Sequence, residues 1–139
     1  MSIIPGLMIC LSSNMVYGQS PSLSVEITNI EEKTGYIMLA VYNQEEHFLT
    51  EEVLTAAREQ VRDDDRAMIE IRDLKPGRYA ISVYHDVNGN GELDTNLFNI
   101  PKEPYGFSNN DLGLFGIPSF EKSFFEVADA PQKIVIELR

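Results

Sequence analysis

Residues Asp73 to Tyr84, DLKPGRYAISVY, decide the fold class. Pro76 presets φ for a tight turn, and Gly77 supplies a backbone conformation that other residues resist. Tyr79 then opens a strand that runs to Tyr84. A Tyr placed there is the corner tyrosine of a β-sandwich, with its hydroxyl bonding back to the turn backbone; the alternative role is a ligand contact. Toward the N-terminus, Leu23, Val25 and Ile27 alternate with Ser24, Glu26 and Thr28, the period of a strand with one buried face. Tyr36 to Tyr42, YIMLAVY, is apolar on both faces, which predicts a central strand covered on both sides. Thr50 to Arg62 reads two ways. Val53, Leu54, Ala57 and Val61 form a helical stripe, whereas Ala57, Glu59 and Val61 alternate. A short strand near Ala57 to Val61 is favoured, compatible with a single helical turn before it. Asp63, Asp64 and Asp65 read as a hairpin tip leading into Ala67 to Ile71. Beyond Tyr84, Ser123 to Val127 and Lys133 to Leu138 are two further strands around a turn at Ala128 to Gln132. Together these elements predict an all-β chain: a single β-sandwich of about seven strands, Greek-key, with one long ordered loop.

The chain has 139 residues, with 11 Lys and Arg against 22 Asp and Glu and a formal charge of −11. That length suits one domain with its own core. The acidity excludes nucleic acid as a partner, because phosphate neutralisation needs a basic face. It reads as a solvated surface and leaves cationic ligands open. Residues 1 to 25 contain no Asp, Glu, Lys, Arg or His. Ile3 to Leu11 is an apolar run too short to span a bilayer, and Val16, Tyr17 and Gly18 follow the polar Ser12, Ser13 and Asn14. This predicts a signal peptide over residues 1–18, although the positive start of such a signal is missing. A lipoprotein signal would need a small residue before Cys10, where Ile9 stands. Cleavage after Gly18 removes the one cysteine, leaving neither thiol chemistry nor a disulfide. The mature chain is then a single β-sandwich domain over residues 23–139 without a transmembrane segment, periplasmic or secreted.

After Tyr84 comes HDVNGNGELDTN. Oxygen-bearing side chains occupy every second position, Asp86, Asn88, Asn90, Glu92, Asp94 and Asn96, with Gly89 and Gly91 between the first three. A loop of that kind can turn several oxygens inward for a hard cation. Asp86, Asn88, Asn90 and Gly91 match D-x-[DN]-x-[DN]-G, and Leu93 supplies an apolar plug. Leu97 stands where a helix-loop-helix calcium site has its bidentate Glu, so this is not an EF-hand; Glu103 or Asp111 is available to fold back and complete a shell. With oxygen ligands and no clustered His, Ca²⁺ is the expected cofactor rather than zinc, held by Asp86, Asn88, Asn90, Glu92 and Asp94. The competing reading is a metal-free structural domain. Asn88-Gly89 and Asn90-Gly91 are each preferred type I′ turn dipeptides, and acids beside them can simply face water.

Gly and Pro are dense from residue 86 to 118, excluding regular structure over most of it, and loops this long are functional or disordered. Leu93, Leu97, Phe98, Ile100, Tyr105, Phe107, Leu112, Leu114, Phe115 and Ile117 are expected to anchor it. Tyr105 and Phe107, with Phe115 and Phe120, offer a stacking platform for a sugar or peptide, or else clamp the loop onto the sandwich. His85, between Tyr84 and Asp86, could act as a general base in a hydrolase-type enzyme, but a packed histidine is the commoner case. No Gly-x-Ser-x-Gly elbow or phosphate-cradling loop is present, so no active site is specified.

DLKPGRYAISVY, HDVNGNGELDTN, IPKEPYGFSNN and FGIPSFEKSFF together resemble the bacterial domain-of-unknown-function family 2141, from about residue 23 to the C-terminus. The resemblance implies an exported, envelope-associated or periplasmic all-β protein, similar to transthyretin-like and carboxypeptidase regulatory-like sandwiches, with no activity to carry over. Its expected role is non-catalytic, binding an envelope protein or carbohydrate or serving as a structural module. Asn99 stands where such sequences usually have Gly, and Asn tolerates positive φ better than most residues.

Overall fold

The computed structural model describes residues 22–112 and 116–139. The signal-peptide segment, Leu114 and Phe115 lie outside the described residues. The described chain is a two-sheet sandwich of eight strands. β1 (Ser22–Thr28), β4 (Ala67–Arg72) and β8 (Gln132–Glu137) form one sheet in the order β4-β1-β8. The other contains β3 (Thr55–Gln60), β2 (Tyr36–Tyr42), β5 (Gly77–Asp86) and β6 (Tyr105–Phe107) in that order, with β7 (Phe125–Val127) also on β5. The pairs are antiparallel except β1 with β8, which run parallel.

Period-two patterning sets which side chains fill the space between the sheets. Leu23, Val25 and Ile27 from β1 meet Ile37, Leu39 and Val41 from β2 and Tyr79, Ile81 and Val83 from β5 in one buried cluster. The turn before β5 behaves as expected of a corner: the Tyr79 hydroxyl donates to the Lys75 carbonyl at 2.6 Å.

Several expectations need adjustment. β2 is central but fully buried along one face only; on the other, Tyr42 is buried while Tyr36, Met38 and Ala40 are half-buried, and the Arg58 guanidinium lies 3.5 Å from the Tyr36 ring centre. β3 starts two residues earlier than expected because Thr55 to Gln60 completes the backbone pairing of β2. No helical turn forms between Thr50 and Leu54; a 3-10 turn lies earlier, at Glu45–His47, in the exposed connection. The Asp63–Asp65 turn is not a hairpin tip within a sheet. It carries the chain from one sheet to the other, held by Ile30 N donating to Asp65 O and Val61 N to Gly35 O, both at 3.0 Å.

The eighth strand, β6, lies within the long loop. β6 and β7 occupy the same edge of β5 end to end, and the break between them is filled by Ser108. Its buried hydroxyl accepts from Ile81 N at 2.9 Å and donates to the Ser123 carbonyl, so neither backbone group is left without a partner. Asn110 closes the outer edge of β8 similarly, accepting from Glu137 N and donating to Val135 O. Tyr105 and Arg139 exchange both backbone hydrogen bonds, tying β6 to the end of the opposite sheet.

Candidate functional site

β5 delivers His85 and Asp86 to the end of the sandwich, where both are buried. His85 continues the core-facing row of Tyr79, Ile81 and Val83, and its ring is 0% exposed. Its Nε2 lies 2.7 Å from the Thr34 carbonyl, which can only accept, so Nε2 carries the proton. Nδ1 is buried and has no partner among the described residues. The imidazole is therefore a packed residue, sealed from any substrate in this conformation. His47, the other histidine, pairs with Glu52 on the surface at 2.6 Å.

Gly35 lets the turn after Thr34 approach so closely. Its φ is +76°, and a Cβ there would lie 1.9 Å from the Asp86 carbonyl oxygen. Thr34 Oγ1 adds a hydrogen bond to the Val87 carbonyl at 3.2 Å. The start of the acidic loop is thus clamped against the β1–β2 connection, a brace that a glycine in a polar turn did not announce.

The loop folds around its own side chains. Asp86 Oδ2 accepts from Gly91 N at 2.8 Å, closing a ring across the two glycines, whose φ values are +70° at Gly89 and +80° at Gly91. Asn88 Oδ1 accepts from Asn90 N and Asn90 Oδ1 from Glu92 N, two successive Asx turns. The Asn88 and Asn90 amides both donate to the Asp94 carboxylate. Glu103 folds back beneath the loop, but toward its backbone: Oε2 accepts from Val87 N at 2.6 Å and Oε1 from Asp94 N at 3.0 Å.

Asn88, Asn90 and Asp94 are therefore brought together by their side chains, with Asp86 joined to them through Gly91 N and Glu103 through Asp94 N. Glu92 is joined to this set through its backbone, with its side chain exposed. No three His, Cys, Asp or Glu side chains converge on one metal-binding point among the described residues. The carboxylates nevertheless share one field. The Tyr84 hydroxyl, bonded to the Gly91 carbonyl at 3.1 Å, has its pKa raised first by burial and then by the charges of Asp86, Glu103, Glu92 and Asp94. Among the described residues none of these four acids has a Lys or Arg ion-pair partner within 4 Å. Asp86 is 1% exposed, and its buried Oδ1 has no hydrogen-bond donor among the described residues.

Beside the loop lies an apolar groove of about 310 Å³. Leu93 and Pro101 from the loop form one wall, with Tyr42, Tyr84, Tyr105 and Phe107 among the ring-bearing residues around it. Tyr105 is half-exposed, whereas Phe107 is buried and packs edge-on against it at 5.8 Å and against Phe48 at 6.4 Å. Phe120 is buried beneath Phe48, a clamp rather than a platform. The expected loop anchors divide. Leu97, Phe98, Ile100 and Ile117 project into solvent, because the turn carrying the first three is closed by Asn96 and leaves its apolar side chains outside. Asn99, at φ +58°, adopts the conformation its glycine-like position demands.

A family model described as an uncharacterised protein conserved in bacteria, DUF2141, matches residues 25–135. The chain belongs to the DUF2141 family. No curated protein and no solved structure matches it. The DUF2141 match spans β1 to β8 and includes both the acidic loop and the groove, so both belong to the family domain. No helix among the described residues of this DUF2141 chain is long and apolar enough to cross a membrane.

Proposed function

We propose that this DUF2141 protein is an exported, non-catalytic binding module whose acidic loop holds Ca²⁺ and thereby fixes one wall of the neighbouring groove. The observation carrying this reading is Asp86. Its carboxylate is buried and, among the described residues, has no Lys or Arg ion-pair partner and keeps one oxygen without a donor. Burying such a charge is costly unless a countercharge or donor meets it, and a cation within the loop supplies one. Asp86, Asn88, Asn90 and Asp94 would hold it, with Glu103 fixing the backbone behind and Glu92 at the rim. Loops of this ligand type in extracellular modules bind calcium weakly, with Kd on the order of 10⁻⁴ to 10⁻³ M, which suits an exported chain. The groove, faced by Tyr105 and floored by Phe107, suits an aromatic-stacking ligand, either a carbohydrate or a segment of an envelope protein. His85 is given no reaction in this reading, since its ring is sealed.

A second reading has its own support. The Asn88 and Asn90 amides already satisfy Asp94, so the loop can close as a metal-free structural turn. Terbium, which takes calcium sites, separates the two. Tyr84, bonded to the loop at Gly91, should sensitise terbium luminescence that excess Ca²⁺ quenches and that Asp86→Asn with Asp94→Asn abolishes. A dark titration, or luminescence indifferent to those two changes, selects the metal-free loop.

A further inference from the structure

The groove beside the loop opens on the outer face of the five-stranded sheet. Register there sets Tyr84 of β5 opposite Tyr105 of β6, with Ser82 opposite Phe107 in the next row. Charged residues make up 24% of the chain, yet none of the described residues lining the groove is Asp, Glu, Lys or Arg. An ion buried against such walls meets no countercharge, so the occupant that fits them is neutral.

Two neutral classes fit poorly. A peptide bound as an added strand needs an open sheet edge. At Tyr105 the edge of β6 is closed, because its N–H and carbonyl are both taken by Arg139, at 3.1 and 2.9 Å. A hydrocarbon chain meets the wrong polar groups. The Ser82 and Thr95 hydroxyls and the Asn99 side-chain amide line the groove and make no hydrogen bond to other described residues. An aliphatic occupant strips them of water and gives no partner in return.

A sugar ring matches both parts of the lining. Its C–H face is apolar and stacks on an aromatic ring, here the half-exposed Tyr105, which buried Phe107 holds edge-on at 5.8 Å. Its hydroxyl groups both donate and accept, as do Ser82, Thr95 and Asn99. A space of about 310 Å³ lies at the small end of ligand sites and suits one ring rather than several. We propose that the groove binds a single neutral pyranose ring, stacked on Tyr105 and hydrogen-bonded by Ser82, Thr95 and Asn99. This occupant narrows the groove reading given above, on which it rests, and needs no metal.

The test is saturation-transfer NMR on the full chain in chelator. The probes are the methyl glycosides of glucose, galactose and mannose, N-acetylglucosamine, glucuronic acid as the charged counterpart, and a capped tripeptide of Ala, Phe and Ala. At least one neutral sugar should bind with Kd on the order of 10⁻³ M, as suits a ligand of about a dozen heavy atoms. Saturation should be strongest on the C–H protons of one ring face, and glucuronic acid should bind at least about ten-fold more weakly. Tyr105→Ala should weaken binding about ten-fold and Tyr105→Phe by less than about two-fold. Thr95→Val/Asn99→Gly should also weaken it about ten-fold. Glycine adopts the φ of +58° at position 99 without strain, so this pair decides the matter if Tyr105→Ala fails to fold. Sugar binding unchanged in either folded variant, or glucuronic acid binding as tightly as the neutral sugars, overturns the proposal. Tripeptide binding as tight as that of the sugars, or in their place, overturns the pyranose assignment and leaves the groove reading standing. Binding by neither sugar nor tripeptide overturns both.

Discussion

Glu103 is the side chain on which the candidate site closes, and removing it tests how the loop is held. Its two oxygens accept from Val87 N at 2.6 Å and Asp94 N at 3.0 Å, with the carboxylate 8% exposed. A hydrogen bond to a charged group contributes about 1.5–3 kcal/mol. Val87 and Asp94 are only half-buried, so water takes back part of that loss. Glu103→Ala is therefore expected to cost about 3 kcal/mol, below the simple sum of two such bonds. Urea unfolding in chelator is the assay. With a slope near 1.5 kcal/mol per molar, the midpoint should fall by about 2 M. Glu103→Gln keeps one acceptor and should lose about half as much. A Glu103→Ala protein within about 0.5 kcal/mol of the parent, the range of ordinary surface substitutions, would refute the claim that this carboxylate staples the loop.

Other perturbations follow from single contacts. Gly35→Ala puts a methyl 1.9 Å from the Asp86 carbonyl at φ +76°, so circular dichroism should show a melting point lowered by 10 °C or more, about 2 kcal/mol or above; an unchanged melting point contradicts that close approach. Ser108→Ala strips the acceptor from buried Ile81 N and should cost about 2 kcal/mol in the same denaturation series. Glu26 has its pKa lowered from 4.5 by its hydrogen bond to Lys133 and then by Arg66. Its contribution to stability is present above the unfolded value and is lost as pH falls through the lower folded value. Glu26→Gln should thus flatten the acid limb of a stability–pH profile below about pH 4.5, and identical limbs in parent and variant would contradict it.

Regular strands were legible because alternation reports burial directly, and the Lys75–Tyr79 corner because its chemistry is local. β3 was harder to read. Ala57 and Val61 fit both a helical and an extended period, and pairing with β2 decides between them. β6 was hidden because three residues carry no period; its place comes from β5 and from Arg139, far away in the chain. In the site, the oxygens at Asp86, Asn88, Asn90 and Asp94 were visible as spacing, and Glu103 as a candidate. The reach of Thr34 and Gly35 to the loop was not, since a contact across half the chain leaves no local mark. Leu97 and Phe98 misled because hydrophobicity predicts burial only where backbone geometry points a side chain inward.

The central claim is that the loop beginning at buried Asp86 is completed by a calcium ion, and differential scanning calorimetry in Ca²⁺ and in chelator tests it most directly. At 10 mM Ca²⁺ and a Kd near 10⁻⁴ M, saturation stabilises the fold by about 2.7 kcal/mol. For a domain of this size that raises the melting temperature by about 10 °C, and Asp86→Asn should erase the shift. A parent melting point that is the same in calcium and in chelator would contradict the account.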